Sequence, residues 1–313
     1  MARTALWGAL AVYFAAAALV LGLRYWALPN IADNVGVIER AVSNTLGERV
    51  TIAGIRAGWQ GLRPELDLTD VRIYDRDGRI ALSLPVVEAS VSWTSVIYGS
   101  IRFHSLALER PNLEIRRDTA GRLFVAGMEI KDDESGPDVS DWLLSQEEIV
   151  IRDASLSWND ERRAAPRLKL AGVTFAIHNR GDLHRFALRA QASPELASAL
   201  DVRGELRGTS LEQLRNWTGK LFAQLDYADL AVWQSWFDYP LEIRSGKGAL
   251  RLWLAFSGKR LTEATADVAL AQVAARVARN LPMLELESLV GRLGARESER
   301  AVDVRGTQVA LKT

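Results

Sequence analysis

The chain has 313 residues, 48% apolar and 25% charged, enough for one to three domains with buried cores. Lys+Arg and Asp+Glu both number 39, so no basic surface favours a nucleic-acid partner. The absence of cysteine excludes disulfides, thiolate metal sites and a cysteine nucleophile.

Residues 4–23, "TALWGALAVYFAAAALVLGL", carry no charge and lie between Arg3 and Arg24. At 1.5 Å per residue, about 20 residues cross a hydrocarbon core of roughly 30 Å. Trp7 near one end, and Tyr25 and Trp26 at the other, stand where interfacial aromatic residues belong. A cleaved signal would have an apolar region of about 7–15 residues and a small-residue cleavage site, whereas "RYWALPN" follows here. An uncleaved transmembrane anchor is expected over 1–28. The N-terminal amine and Arg3 on one side, against Asp33 and Glu39 on the other, favour a cytoplasmic N-terminus and a body outside the cytoplasm.

In "PNIADNVGVIERAVSNTLG", Ile31, Val35, Ile38, Val42 and Leu46 form one helical stripe, opened by Pro29 and Asn30 and closed by Gly47. The spacing predicts an amphipathic helix packed on the first sheet; its polar face is not basic enough to favour the membrane surface. Residues 49–130 read as short strands with glycine-ended turns at "DRDG" (75–78) and "DTAG" (118–121), and "SWTSVIYG" (92–99) as a helical turn. Acidic "KDDESGPDVS" (131–140) reads as a linker, followed by a short helix around "DWLLSQEE". From 149 onward strands dominate a mostly antiparallel sheet, with short helices expected at "TSLEQLRNW" and "DLAVWQSWF". The expected divisions are 1–28, the anchor; 29–130, a helix with an α+β module; 131–148, linker and short helix; and 149–313, a β-rich body.

One pattern recurs. With φ for apolar, φ-x-φ-x-x-φ-x-φ occurs as LDLTDVRI (66–73), IRFHSLAL (101–108), IVIRDASL (149–156) and LKLAGVTF (168–175). LDYADLAV (225–232) fits too, with a second half of helical character, and LELESLVG (284–291) fits except at its last position. In a strict pleat, the one-residue shift would send the second pair to the other face. A β-bulge restores the side and bends the strand; two strands joined by a tight turn would also fit. Either way each unit offers four apolar side chains to one surface. Such a sheet is covered by helices, folds on itself as a sandwich, or curls into a trough open to a ligand. With few helices after 149, the expectation is an apolar β-groove that takes acyl chains. Its lining by strand parity is Leu66, Leu68, Val71, Ile73, Ile101, Phe103, Leu106, Leu108, Ile149, Ile151, Leu168, Leu170, Val173, Phe175, Leu250, Leu252, Leu254 and Phe256.

No G-x-S-x-G, Walker A or G-x-G-x-x-G motif is present. "DRDG" lacks the remaining ligands of a calcium loop. Of the three histidines, His178 and His184 flank "NRGDL" and read as exposed turn residues; with His104 they suggest no metal site. No catalytic residue, metal or cofactor is expected.

The anchor, the helix, "VTIAGIRAGWQGLRPELDLTDVRIYDRDG", "SWTSVIYGSIRFHSLALERPNLEIRRDTAGRLFVAGM" and "IVIRDASLSWND" resemble the N-terminal part of the AsmA-like proteins, in the YhdP branch. "WTGKLFAQLDYADLAVWQSWF" and "GKGALRLWLAFSGKRLTEATADVAL" are similar to that branch's repeat region. The resemblance implies a mainly β protein: a bacterial inner-membrane anchor, a chorein-like α+β N-terminal module and a curved antiparallel β-groove in the periplasm. It further implies phospholipid carried toward the outer membrane in support of its barrier, with an outer-membrane or periplasmic protein as a partner. Branch members are several times longer, and this chain stops at "TQVALKT" within strand-like sequence, so its groove repeats are expected to be incomplete. The competing reading is a structural or assembly factor that pairs a sheet edge with client strands.

Overall fold

The computed structural model describes residues 2–75, 78–95, 102–130, 139–193, 196–210, 216–236, 242–258, 260–276, 280–297 and 302–313. The apolar N-terminal run forms α1 (Ala2–Gly22), continued by a wider helical turn over Leu23–Ala27. Its stretch Ala5–Trp26 is long and apolar enough to cross a membrane, and no side chain described there is buried in the protein. A 3-10 turn, Ala32–Asn34, leads into α2 (Val35–Leu46). Gly47 ends α2 at φ 72°, its amide donating to the Ser43 carbonyl, as a left-handed glycine does at a helix C-terminus.

Sixteen strands follow: β1 (Val50–Gln60), β2 (Arg63–Tyr74), β3 (Ile80–Val91), β4 (Phe103–Glu109), β5 (Asn112–Arg117), β6 (Leu123–Val125), β7 (Met128–Ile130), β8 (Glu148–Asp160), β9 (Leu168–Arg180), β10 (Leu183–Gln191), β11 (Leu200–Arg207), β12 (Thr218–Asp229), β13 (Glu242–Ser257), β14 (Arg260–Arg276), β15 (Leu284–Glu297) and β16 (Val302–Lys312). Among the elements whose bounds are described, two short helices interrupt them, α3 (Val139–Leu144) before β8 and α4 (Leu230–Trp233) between β12 and β13; Thr94 and Ser95 of "SWTSVIYG" are helical as well. All the strands belong to one curved, open sheet, in the order β1-β2-β3-β4-β8-β9 and onward to β16, with β5, β6 and β7 attached beside β8. Pairing is antiparallel except where β8 runs parallel to β4 and then β5. Those two strands lie end to end along β8, separated by Arg110 at φ 51° and buried Pro111.

In LDLTDVRI, IVIRDASL and LKLAGVTF the slip is a bulge inside one continuous strand, not a turn between two strands, whereas LDYADLAV runs from β12 into α4 after Asp229. The second spacer residue of these three units takes a left-handed backbone, Asp70 (φ 50°), Asp153 (52°) and Gly172 (56°), as do Gln272 (53°) in β14 and Gln308 (53°) in β16, whereas Ser105 and Ser288 do not. The register shifts around it in the β8–β9, β9–β10 and β15–β16 pairs. Between β1, β2 and β3 no register shift appears there, because each strand skips at the same level: Ile52 to Ile55, Leu68 to Val71, Leu84 to Val87. The skipped positions follow one line from β1 to β9, through Ala53, Asp70, Pro85, Arg110, Asp153 and Gly172. That line is a crease: the extra residue returns the next side chain to the same face and bends the strand.

The largest core cluster lies between α2 and the first strands. Val35, Ile38, Val42 and Leu46 pack on Val50, Ile52, Val71, Ile73, Leu84, Val87, Ala89 and Leu106. The predicted stripe is thus the packing face of α2. Its polar face also engages the edge strand: Ser43 Oγ accepts from the Val50 amide at 2.9 Å and Glu39 Oε1 from the Ile52 amide at 2.7 Å.

Expected elements fall partly outside the described residues: Arg76 and Asp77 of "DRDG", residues 96–99 of "SWTSVIYG", 131–138 of the acidic segment, 211–215 of "TSLEQLRNW" and Phe237 of "DLAVWQSWF". α3 and α4 occupy the described parts of two expected helices. Asp229 caps α4 by accepting from the Ala231 and Val232 amides.

The crease makes a stability prediction. No atom lies within 4 Å of a Cβ added at Gly172, so a side chain there costs backbone strain alone. Gly172→Val is expected to lower stability by about 1–2 kcal/mol. Asp153→Gly, which keeps the left-handed position free of strain, should stay within about 0.5 kcal/mol. Urea unfolding of the two variants against the parent chain measures both.

Candidate functional site, an apolar strip across the strands

Directly paired residues on neighbouring strands share a face of the sheet, so the register traces what each face carries. From β8 to β16 one row reads Ile149, Ile177, Phe186, Gly204, Leu221, Leu254, Ala264, Ala295, Val304. The next reads Ile151, Phe175, Leu188, Val202, Ala223, Leu252, Ala266, Leu293, Gly306. A third, from β10, reads Ala190, Leu200, Leu225, Leu250, Val268, Gly291. No charged or polar side chain enters these rows, and most of their members are half-buried.

Glycines flatten the floor of this strip. A Cβ at Gly204 would stand 2.4 Å from the Phe186 ring, and one at Gly219 would stand 2.7 Å from Phe256 and Leu206. The aromatic rings therefore lie across the neighbouring strand instead of rising from it.

The opposite face carries ion pairs between neighbouring strands. Arg185 pairs with Glu205, Arg189 with Asp201, Arg292 with Asp267, and Arg296 with Glu263, and Arg203 joins Asp201 from within β11. Trp253 lies there too, against Phe222 at 5.3 Å between centroids and beneath the Arg292 guanidinium. Arg203 and Arg292 hydrogen-bond the Asp201 and Asp267 carboxylates and hold them below the ordinary carboxylate range.

The strip is covered at particular places. Leu66, Leu68, Phe103 and Leu108 are half-buried, and Val71, Ile73 and Leu106 buried, in the cluster on which α2 sits; Trp142 of α3 meets the Phe103 ring edge-on at 6.1 Å. Ile101 lies outside the described residues. Ile151, Leu170 and buried Val173 pack with Ala154, Leu156, Leu188 and Ala190, and Ile149 is buried beside Leu106. Leu168 and Leu170 also touch the cluster of Trp233, Trp236, Leu196 and Leu225, in which α4 covers one rim. Phe175, Leu252, Leu254 and Phe256 are half-buried, while Leu250 packs beside Leu230 and Val268. Among the described residues no second sheet covers the strip: the sixteen strands lie in one open sheet. At the α1 end, Trp7, Tyr25 and Trp26 are exposed, Arg3 lies in α1, and the Arg24 guanidinium stands 5.5 Å over the Trp59 ring.

The histidines correct one expectation. His178 is exposed opposite Glu148, but His184 is 1% exposed. His184 stacks on Trp217 at 5.3 Å, with Nδ1 2.7 Å from Asn179 Oδ1 and Nε2 2.9 Å from the Gly208 carbonyl oxygen. It follows a two-residue turn, yet its side chain points to the apolar side, opposite Leu206; the missed signal was its even spacing from Phe186 and Leu188. His104 is half-buried with Nδ1 2.6 Å from Glu147 Oε2, whose other oxygen accepts from Ser92 at 3.0 Å. Among the described residues no three His, Asp or Glu side chains form a metal-binding group.

A rim clamp was also missed. Asp160, 1% exposed, accepts a two-pronged pair from Arg117, which was read only as part of a strand. A cavity of about 330 Å³ opens beside it, lined by Arg117, Trp158, Asp160, Arg163, Leu168 and Trp236. Burial alone would raise the Asp160 pKa, but the Arg117 pair and the Arg163 amide outweigh it and hold the carboxyl below its ordinary range.

A family model described as "YhdP protein" matches residues 1–313. No curated protein and no solved structure matches the chain.

Because the folded Asp160 titrates below its ordinary value of 3.8, its stabilisation is present above that pH and is lost as pH falls through the lower folded value. Asp160→Asn is expected to cost about 1.5–3 kcal/mol at neutral pH, the range for hydrogen bonds to charged groups. It should also flatten the acid limb of the stability curve below about pH 4, as read by thermal unfolding across a pH series.

Proposed function

The chain belongs to the YhdP family, and on that premise we propose that it is a lipid-transfer module of the bacterial inner membrane. In this reading α1 is the single membrane span and the β-sheet lies in the periplasm. The apolar strip binds phospholipid acyl chains and conducts them toward the outer membrane, in support of its barrier. The work is non-catalytic.

The observation that carries the reading is the set of uncharged rows on β8 to β16, on a sheet that no second sheet covers among the described residues. Seven inter-strand steps of about 4.8 Å separate β8 from β15, roughly 34 Å. That exceeds the depth of one leaflet, about half of a hydrocarbon core of roughly 30 Å. An acyl chain that removes about ten methylene groups from water on the strip gains roughly 8 kcal/mol before ordering costs. Leu66, Leu68, Val71, Ile73, Phe103, Leu106 and Leu108 then form the helix-covered head of the groove. Ile149, Ile151, Leu168, Leu170, Val173, Phe175, Leu250, Leu252, Leu254 and Phe256 line its running length.

A second reading draws on β16, whose outer edge is unpaired among the described residues and carries Val304 at 74% exposure. Such an edge can add a client strand.

Photo-crosslinkers at Phe175 and Leu252, installed in the membrane-embedded protein in cells, are expected to capture phospholipid. The same groups at Arg203 and Arg251, on the charged face, should capture several-fold less. Leu252→Asp should reduce lipid capture at Phe175. Equal capture on both faces, or none on the apolar one, overturns the proposal. Protein adducts from residues 302–311, without lipid adducts in the strip, would support strand pairing instead.

A further inference from the structure

The connection between α1 and the sheet is short, helical and held by hydrogen bonds. The Leu28 amide donates to the Leu23 carbonyl, Ile31 to Leu28 and Asn34 to Ile31. Asn30 Nδ2 donates to the Trp26 carbonyl at 2.8 Å and Asn34 Nδ2 to the Asn30 carbonyl at 2.9 Å. Gly22, Leu28, Ile31 and Val35 have right-handed helical backbones, and Asn34 (φ −113°, ψ 19°) interrupts them before α2.

Three contacts fix how this path lies beside β1: Ser43 with Val50, Glu39 with Ile52, and Arg24 with Trp59. Ser43 back to Glu39 rises about 6 Å along a helix, and Val50 to Ile52 advances about 6.6 Å along a strand. Ser43 back to Arg24 rises about 28 Å, and Val50 to Trp59 advances about 30 Å. The three contacts keep one order, so the path from α1 through α2 runs alongside β1 in the opposite sense, with a break in the helix at Asn34 (φ −113°, ψ 19°). β1 therefore points back along α1.

Beyond Trp59 comes the β1–β2 turn, Gly61 and Leu62, with Gln60 paired to Arg63. Leu62 stands about 6 Å past Trp59, which is four helical residues and thus level with Val20. Val20 lies inside the apolar span Ala5–Trp26. Two-residue hairpin loops favour Gly beside Asn, Asp or Ser; here the second position is a leucine, 71% exposed. Gln60 and Arg63 flank it, both exposed, and an arginine stem can keep its charge at headgroup level while the turn goes deeper.

The geometry points to a second membrane contact: the Gly61–Leu62 turn enters the bilayer beside α1, so the edge strand β1 is seated on the lipid surface at two points. The occupant is the bilayer, because the turn continues the surface that α1 already presents to it. This rests on α1 being a membrane span and is independent of lipid conduction along the strip. A seated edge leaves no aqueous gap between the membrane and the first strand.

The chain has no cysteine, so single-cysteine probes can be placed in the full-length protein. An environment-sensitive fluorophore goes on Leu62→Cys, on Leu19→Cys within α1, and on Ala120→Cys at the far rim. The protein is reconstituted in vesicles of phosphatidylethanolamine and phosphatidylglycerol carrying an acyl-chain nitroxide quencher. The expected result is that the Leu62 and Leu19 probes are quenched several-fold more than the Ala120 probe. A Leu62 probe that behaves like Ala120 while Leu19 is quenched overturns the inference and leaves the anchor standing. An unquenched Leu19 probe overturns the anchor and the inference together.

Discussion

A strand that buries side chains along one face must keep them on that face from end to end, and it must also bend if the sheet is to curve. The two demands conflict, because a regular pleat is straight and a displaced pleat exchanges its faces. Here a left-handed residue reconciles them. Asp70, Asp153 and Gly172 each absorb one extra residue at nearly the same φ. Between β1, β2 and β3 the strands skip at the same level and the extra residues make a shared crease without a register shift, while between β8, β9 and β10 the crease is taken up as a shift in register. The single-faced apolar surface and its curvature have a common cause.

What covers that surface differs along the sheet. At the N-terminal end α2 brings Val35, Ile38, Val42 and Leu46 onto it, and its Ser43 and Glu39 satisfy amides of the edge strand that no neighbouring strand pairs. At one rim, Trp233 and Trp236 fold over Leu168 and Leu225, the indole N–H groups donating to the Leu196 and Pro166 carbonyls. Between these covers the two central rows stay half-buried, with charged ladders on the reverse face. A sheet so divided is stable in water on one side and keeps greasy surface on the other, the combination a lipid-handling module needs.

Much of this was legible in the chain. The uncharged run, the i, i+4, i+7 stripe of α2 and the glycine that ends it are local patterns. The doubled spacer in LDLTDVRI and LKLAGVTF was equally local, and it placed Leu66, Leu68, Val71 and Ile73 on one surface. It left open whether each unit was one strand or two, because a left-handed residue with ordinary side chains, such as Asp70 or Gln272, has no local signature. His184 was misread because a turn was in view, while Trp217, its stacking partner, is thirty-three residues away. The Arg117–Asp160 clamp spans forty-three residues and joins two segments that each read only as strand.

The sequence by itself determined the long uncharged N-terminal helix, the amphipathic helix, the β-rich body and the one-sided polarity, because each arises from local side-chain composition and periodicity. Only the tertiary structure decided that α2 lies over the first strands, that β8 joins the sheet in parallel, and that β1 points back along α1. These depend on contacts between segments far apart in the chain, and periodicity specifies which face is apolar without specifying what comes to rest on it.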